Sequence, residues 1–118
     1  MRAPMDNETW IIETGDTIIR KKTRGSIECL TPWETLVYCL WVADYGMRNA
    51  GDLHTAANVY AEFHSNARRI AEVLSLRLTN QAFSLSQSDL EREYFDRFES
   101  ICDEIRDAEW RASSGVQP

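Results

Sequence analysis

The chain has 118 residues, a formal net charge of −6, and 43% hydrophobic and 27% charged residues. That length fits a single domain over residues 1–118, and the apolar share is too high for a disordered chain. The longest strongly apolar run, 36–43, is far shorter than the ~20 residues that a membrane-spanning helix needs. A surplus of acids disfavours direct nucleic-acid binding, because phosphate contacts need Lys and Arg.

The cysteines predict a reducing compartment. Cys29, Cys39 and Cys102 are odd in number and form no CxxC pair, so the sequence predicts neither a disulfide framework nor a zinc site. We expect three buried or half-buried thiols in a cytoplasmic protein. The first residues contain no apolar stretch of the kind that a secretory signal needs. No cofactor or metal is predicted.

Residues 8–22 predict a short β-hairpin. Two runs rich in β-forming residues, 10–12 and 17–19, flank the Gly-containing turn 14–16. A basic cluster follows, which we expect to be a solvated strand end and loop rather than an anion site. Its members are Arg20, Lys21, Lys22 and Arg24.

Helices account for the rest of the chain. Thr31-Pro32-Trp33-Glu34 is a capping box with proline at the first helical position, and the apolar run after it predicts a buried, central helix. A second capping box at 88–91 opens a helix with an apolar face that includes Phe95. The predicted helices are 32–46, 53–64, 66–79 and 89–111, with a break near Ser65–Asn66. The predicted fold is mainly α: a compact bundle of about four helices with a short N-terminal β-hairpin.

No motif in the chain identifies a reaction, so no catalytic residue is predicted and we expect a protein that is not an enzyme. His54 and His64 would lie about 15 Å apart along a helix, too far to share a metal. His64 falls on an apolar stripe, where a hydrogen-bonded core histidine is expected and a ligand or base is the alternative. Asp44, at the end of the apolar helix, either faces solvent or has a buried role.

The acids are concentrated at the C-terminal end. Residues 83–118 hold nine acids, four arginines and no lysine, a net charge of −5, while the preceding 82 residues carry −1. Six of these acids fall on one side of the last helix, opposite its apolar stripe. This acidic face could be an ordinary polar surface or could attract a basic protein. It consists of Asp89, Glu93, Asp96, Glu99, Asp103 and Asp107.

The pattern from Leu30 to Leu76 resembles a bacterial DNA-mimic protein family of small, acidic, helical proteins. The residues that carry the resemblance are Leu30-Thr31-Pro32-Trp33-Glu34, Val37-Tyr38, Trp41, Asp44, Asn49-Ala50-Gly51, Phe63, Ser65-Asn66, Ile70 and Leu74. The resemblance implies a dimer that binds a DNA-binding regulator in place of DNA. It also implies that Asp44 and Asn49 order a loop.

The leading hypothesis is a non-catalytic interaction module that presents the acidic face to a basic partner, which could be a DNA-binding protein. One alternative is an immunity- or antitoxin-like or phage-encoded inhibitor that docks through an apolar patch. Another is a small enzyme or ligand-binding domain that uses Asp44, His64 or Cys102. Trp110, at the end of the last helix, could anchor a partner or a homodimer.

Overall fold

The computed structural model describes residues 5–113, with the backbone alone described at Ile27 and at 110–113. This part of the chain folds into helices joined by short loops and contains no strand. The prediction of a mainly α fold is confirmed, and the predicted N-terminal hairpin is wrong. The helices are α1 (Asn7–Arg24), α2 (Pro32–Ala50), α3 (Leu53–Val59), α4 (Phe63–Val73), α5 (Arg77–Phe83) and α6 (Gln87–Ser113), with a 3₁₀ turn at Ile27–Cys29.

Helix α1 replaces the hairpin predicted over 8–22. Its buried residues, among them Trp10 and Ile11, recur at the spacing of one helix face. The β-branched residues suggested strands, but packing of this face against the core outweighs their weak intrinsic preference. The helix ends carry matching signals, because Asp6 accepts a hydrogen bond from the Thr9 N–H at 2.7 Å and basic residues occupy the last turn.

Helices α1 and α2 pack antiparallel. The start of α1 meets the end of α2, where Glu8 pairs with Arg48 at 3.4 Å. The end of α1 meets the start of α2, where Lys21 pairs with Glu34 at 2.8 Å. The basic cluster predicted as a strand end and loop therefore belongs to a helix C-terminus, where positive charge interacts favourably with the helix dipole.

Gly15 lies inside α1 and does not form a turn. The indole of Trp41 packs directly on it, and a Cβ at position 15 would meet the indole Cγ at 2.8 Å. Gly46 has the same role on the other side of α2. A Cβ there would meet the Asp52 carbonyl oxygen at 2.7 Å and the Ala56 nitrogen at 2.8 Å. These two glycines let α1 and α3 approach α2 closely.

Helix α2 begins as predicted and ends later. The capping box between Thr31 and Glu34 is confirmed, because each side chain bonds to the backbone N–H of the other. The helix was expected to stop near Gly46 but continues to Ala50. Gly51 then ends it in the left-handed conformation, with φ of 75°. The central position of α2 is also confirmed, because it packs against α1, α3, α4 and α6.

The stretch predicted as helices 53–64 and 66–79 forms three shorter helices. The first break lies at Tyr60–Glu62, earlier than Ser65–Asn66, and α4 runs straight through that pair. A second break separates α4 from α5, where Ser75 adopts a positive φ of 60°. Helices α3 and α4 pack on α2, and α5 packs on α4 and α6, an arrangement that one long amphipathic helix could not form.

Helix α6 spans the molecule and packs on α1, α2, α3 and α5. It starts two residues before the predicted position, because the capping hydroxyl is that of Ser86, which accepts from the Asp89 N–H at 3.1 Å, and not that of Ser88. Its apolar stripe is buried through Leu90, Tyr94, Phe98, Ile101, Cys102 and Ile105. Phe95, predicted on the same stripe, is exposed. Among residues 5–113 no helix has the length and apolar character needed to cross a membrane.

Replacement of Gly46 by Ala should destabilise the fold more than replacement of Gly15. The Cβ at 46 would meet backbone atoms that cannot move aside, whereas at 15 it would meet a half-buried indole that can shift outward. We expect Gly46→Ala to lower the free energy of unfolding by about 2 kcal/mol and Gly15→Ala by less. Urea denaturation measures both, with the exposed helical change Ser100→Ala as control. Wild-type stability in Gly46→Ala would contradict this packing.

Candidate protein-interaction surface

The acidic face exists on α6, but most of its members already have partners. Asp89 pairs with Arg92 and Glu93 pairs with Arg97, each at 2.8 Å along the same helix. Such exposed pairs contribute little stability, but they neutralise the two carboxylates locally. The negative charge of the predicted face is therefore reduced at its N-terminal end.

Glu99 and Asp103 hold the start of α1 against α6. The Asn7 amide nitrogen donates to Glu99 at 2.6 Å and to Asp103 at 3.1 Å. The side-chain amide oxygen of Asn7 accepts from the buried guanidinium of Arg106 at 2.8 Å, and Arg106 also donates to the backbone carbonyl oxygen of Met5. Asn7 thus links the N-terminus of α1 to acidic side chains of α6 and to the basic side chain of Arg106.

Two other acids of α6 cap short helices. Glu104 accepts hydrogen bonds from the Leu78 N–H at 2.9 Å and from the N–H and hydroxyl of Thr79, each at 2.7 Å. Those donors belong to the first turn of α5, whose own N-cap residue supplies no side-chain bond. Glu91 accepts from the Leu53 N–H at 2.8 Å, at the start of α3. Free N–H groups at helix starts need such acceptors.

Asp96 and Glu99 remain as exposed charges in the middle of the acidic face. Neither carboxylate forms an ion pair with a cation of the described residues; Glu99 meets only the neutral amide of Asn7. Asp103 and Asp107 take part in further interactions with their surroundings. The part of the face that keeps uncompensated charge is thus centred on Asp96 and Glu99, of which Glu99 contacts Asn7 at the start of α1.

Asp44 has the buried role that the sequence left open. It accepts from the Tyr94 hydroxyl at 2.7 Å and from the Arg48 Nε at 2.9 and 3.0 Å. Burial, and then the charge of Asp44, raises the pKa of Tyr94 well above its usual value, so Tyr94 stays a donor. Asp44 and Asn49 both lie inside α2, where Asn49 donates to the Tyr45 carbonyl. They do not order a loop.

The other candidate reactive residues are packed as structural groups. His64 Nε2 lies 3.0 Å from the Leu85 carbonyl oxygen, and its ring packs between Phe63 and Phe83. Burial raises the pKa of the Cys39 thiol to about 12 and also raises that of Cys102.

Cys29 is exposed, unlike the half-buried thiol that was expected. Within residues 5–113 no three His, Cys, Asp or Glu side chains come together as metal ligands.

The shallow cavities on the described part of the surface include three of about 260, 330 and 270 Å³. The first lies between α2 and α4 and is lined by Leu30, Tyr60, Asn66 and Arg69 among others. Asp44, His64 and Cys102 line none of the three. The side chain of Trp110, predicted as an anchor for a partner or a second copy, lies outside the described residues.

Comparison with known protein families, curated proteins and solved structures gives no match for this chain. The resemblance to DNA-mimic proteins therefore stays a hypothesis.

Sequence reasoning missed the apolar surface beside the acidic face. Phe95 was assigned to the core because it falls at the edge of the apolar stripe. Ile12 was assigned to a strand. Both are more than half exposed in the folded chain. If residues 7–24 are read as a helix, Ile12 lies beside the buried face that includes Ile11. That position could have identified Ile12 as exposed.

Removal of the Glu104 carboxylate should destabilise α5. Glu104→Ala leaves two N–H groups and the buried Thr79 hydroxyl without their acceptor, so we expect a loss of about 1–3 kcal/mol in the free energy of unfolding. Hydrogen exchange at the Leu78 and Thr79 amides should also speed up. Asp96→Ala is the matched control, because it removes the same charge from the same helix but no hydrogen bond. Equal stability of the two variants would count against the capping role.

Acid should weaken the helix starts. Hydrogen bonds from Thr9 and Thr55 lower the pKa of Asp6 and Asp52 below the ordinary value of 3.8. The unfolded chain then binds protons at higher pH than the folded chain. The stabilisation is therefore complete above about pH 5 and is lost as pH falls through the folded pKa values.

The double variant Asp6→Asn, Asp52→Asn tests this pH dependence, because asparagine also caps helices but does not titrate. Thermal melting between about pH 6 and pH 2.5 should show a shallower loss of Tm on acidification for the variant than for the wild type. Identical acid profiles would show that these two caps do not contribute.

Proposed function

We propose that the chain is a non-catalytic interaction module of the cytoplasm that presents the acidic face of α6 to a basic protein, with DNA-binding proteins as the leading candidates. A DNA-mimic-like inhibitor or regulator would act in this way. The observation that carries the proposal is that Asp96 and Glu99 are exposed and form no ion pair with a cation of the described residues, whereas Asp89 and Glu93 pair with arginines.

Charge of this kind favours encounter with a basic surface. Like charges fixed on one rigid helix raise the rate of association with an oppositely charged partner and disfavour acidic ones. The hydrogen bond from Asn7 fixes the Glu99 carboxylate, so little side-chain freedom is lost when a partner binds there. Residues 83–118 contain no lysine and carry a net charge of −5.

Neutralisation of the centre of the face should abolish partner capture. In the triple variant Glu93→Gln, Asp96→Asn, Glu99→Gln, the amide at 99 keeps an acceptor for Asn7, so the fold survives. The matched control is Glu13→Gln, Glu28→Gln, Glu72→Gln, which removes three exposed charges elsewhere. Affinity capture from host lysate at low and high salt, with mass-spectrometric identification, is the measurement.

We expect the wild type and the control to capture a basic protein at low salt, and the face variant to capture none. High salt should release the protein, because exposed charges are screened. Capture that is insensitive to salt and equal in both variants would overturn the proposal and favour an inhibitor that docks through apolar contacts.

A further inference from the structure

Three large apolar side chains on three different helices are exposed. Ile12 of α1, Tyr45 of α2 and Phe95 of α6 are 53%, 41% and 51% exposed. The half-buried indole of Trp41 stacks against the Tyr45 ring, with centroids 5.5 Å apart. We call these four residues the apolar patch.

We infer from the contacts around Arg48 and from the helix register that the patch is one surface. Its guanidinium lies 5.2 Å from the Phe95 ring centroid and pairs with Glu8 of α1. Tyr45 precedes Arg48 by three residues on the same face of α2. Antiparallel packing places Ile12 between the Glu8–Arg48 contact and the contact of Gly15 with Trp41, and so opposite Tyr45.

The rim of the patch is acidic. Glu99 follows Phe95 by one helical turn and is bonded to Asn7, and Glu8 comes next along α1. The positive charge of Arg48 is shared between Asp44 and Glu8, so it does not offset the remaining acids. Asp96, the next residue of α6 after Phe95, is a further exposed carboxylate.

The charges of the rim disfavour a second copy and favour a basic partner. Two copies joined through the patch would bring Glu8, Asp96 and Glu99 of each towards those of the other, which repel. Arginine and lysine, in contrast, are attracted by the acidic rim. Burial of three exposed apolar side chains would also favour association.

We propose that the apolar patch and its acidic rim together bind an amphipathic helix of the partner, with leucine-like residues on one face and arginines along its edges. This inference rests on the proposed function, because the rim shares Asp96 and Glu99 with the acidic face. It adds a defined binding position, at the junction of α1, α2 and α6, and a defined partner element.

The test uses a synthetic amphipathic helical peptide with leucines on one face and flanking arginines. A peptide of the same composition in scrambled order and one with glutamate in place of arginine are the peptide controls. The patch variant is Ile12→Ser, Tyr45→Ser, Phe95→Ser. Its matched control, Val59→Ser, Val73→Ser, Leu78→Ser, changes three other exposed apolar residues. Circular dichroism establishes that both variants are folded.

Calorimetry should show that the wild type and the serine control bind the amphipathic arginine peptide, and that the patch variant binds it at least about tenfold more weakly. Amide shifts on binding should centre on Tyr45 and Phe95. The scrambled and glutamate peptides should not bind.

The outcomes separate this inference from the proposed function. Equal affinity of the patch and serine-control variants, with binding lost in the acidic-face variant, would overturn the apolar patch as the binding position and leave the proposed function standing. Loss of binding in the patch variant alone, with the acidic-face variant unaffected, would contradict the proposed function and the arginine preference together. Sedimentation that shows a dimer abolished by the patch variant would overturn the inference in favour of a second copy.

Discussion

The fold depends on hydrogen-bond acceptors for the N-termini of several helices. These N-termini lie beside α6, which supplies the acceptors. Each helix start leaves several N–H groups without a partner inside the helix, and it carries partial positive charge. Helices α3 and α5 are only seven residues long, so these groups form a large part of each. Carboxylates of α6 reach the starts of both, through Glu91 and Glu104, and reach the start of α1 through Asn7.

This arrangement explains much of the uneven charge along the chain. Four of the nine acids in the C-terminal segment, Glu91, Glu99, Asp103 and Glu104, bond to groups at or near other helix starts. A count of acids on a helical wheel cannot separate those that face solvent from those that meet a neighbouring helix. The proposed partner surface is therefore smaller than the predicted acidic face.

The sequence predicted local features whose cause is local. The box between Thr31 and Glu34 depends on four consecutive residues, and the buried character of α2 follows from its own apolar run. The hairpin failed because Gly15 looks like a turn until Trp41, twenty-six residues later, is known to pack on it. Likewise Glu91 matched a capping box with Ser88, but its carboxylate bonds to Leu53, thirty-eight residues away. Long-range contacts, which form only in the folded chain, outweigh the secondary-structure preferences of short segments.

The buried cluster of Asp44, Arg48 and Tyr94 joins this scaffold to the proposed binding surface. An ionised aspartate inside a helical core needs both a counter-charge and hydrogen bonds, which Arg48 and the Tyr94 hydroxyl supply from α2 and α6. Asp44 thereby fixes the Arg48 side chain, which also lies over the Phe95 and Phe98 rings. Arg48 in turn contacts Glu8 on α1. A cluster needed to stabilise a buried charge therefore also holds the three helices of the apolar patch at fixed positions, so a partner would meet a surface that is already ordered.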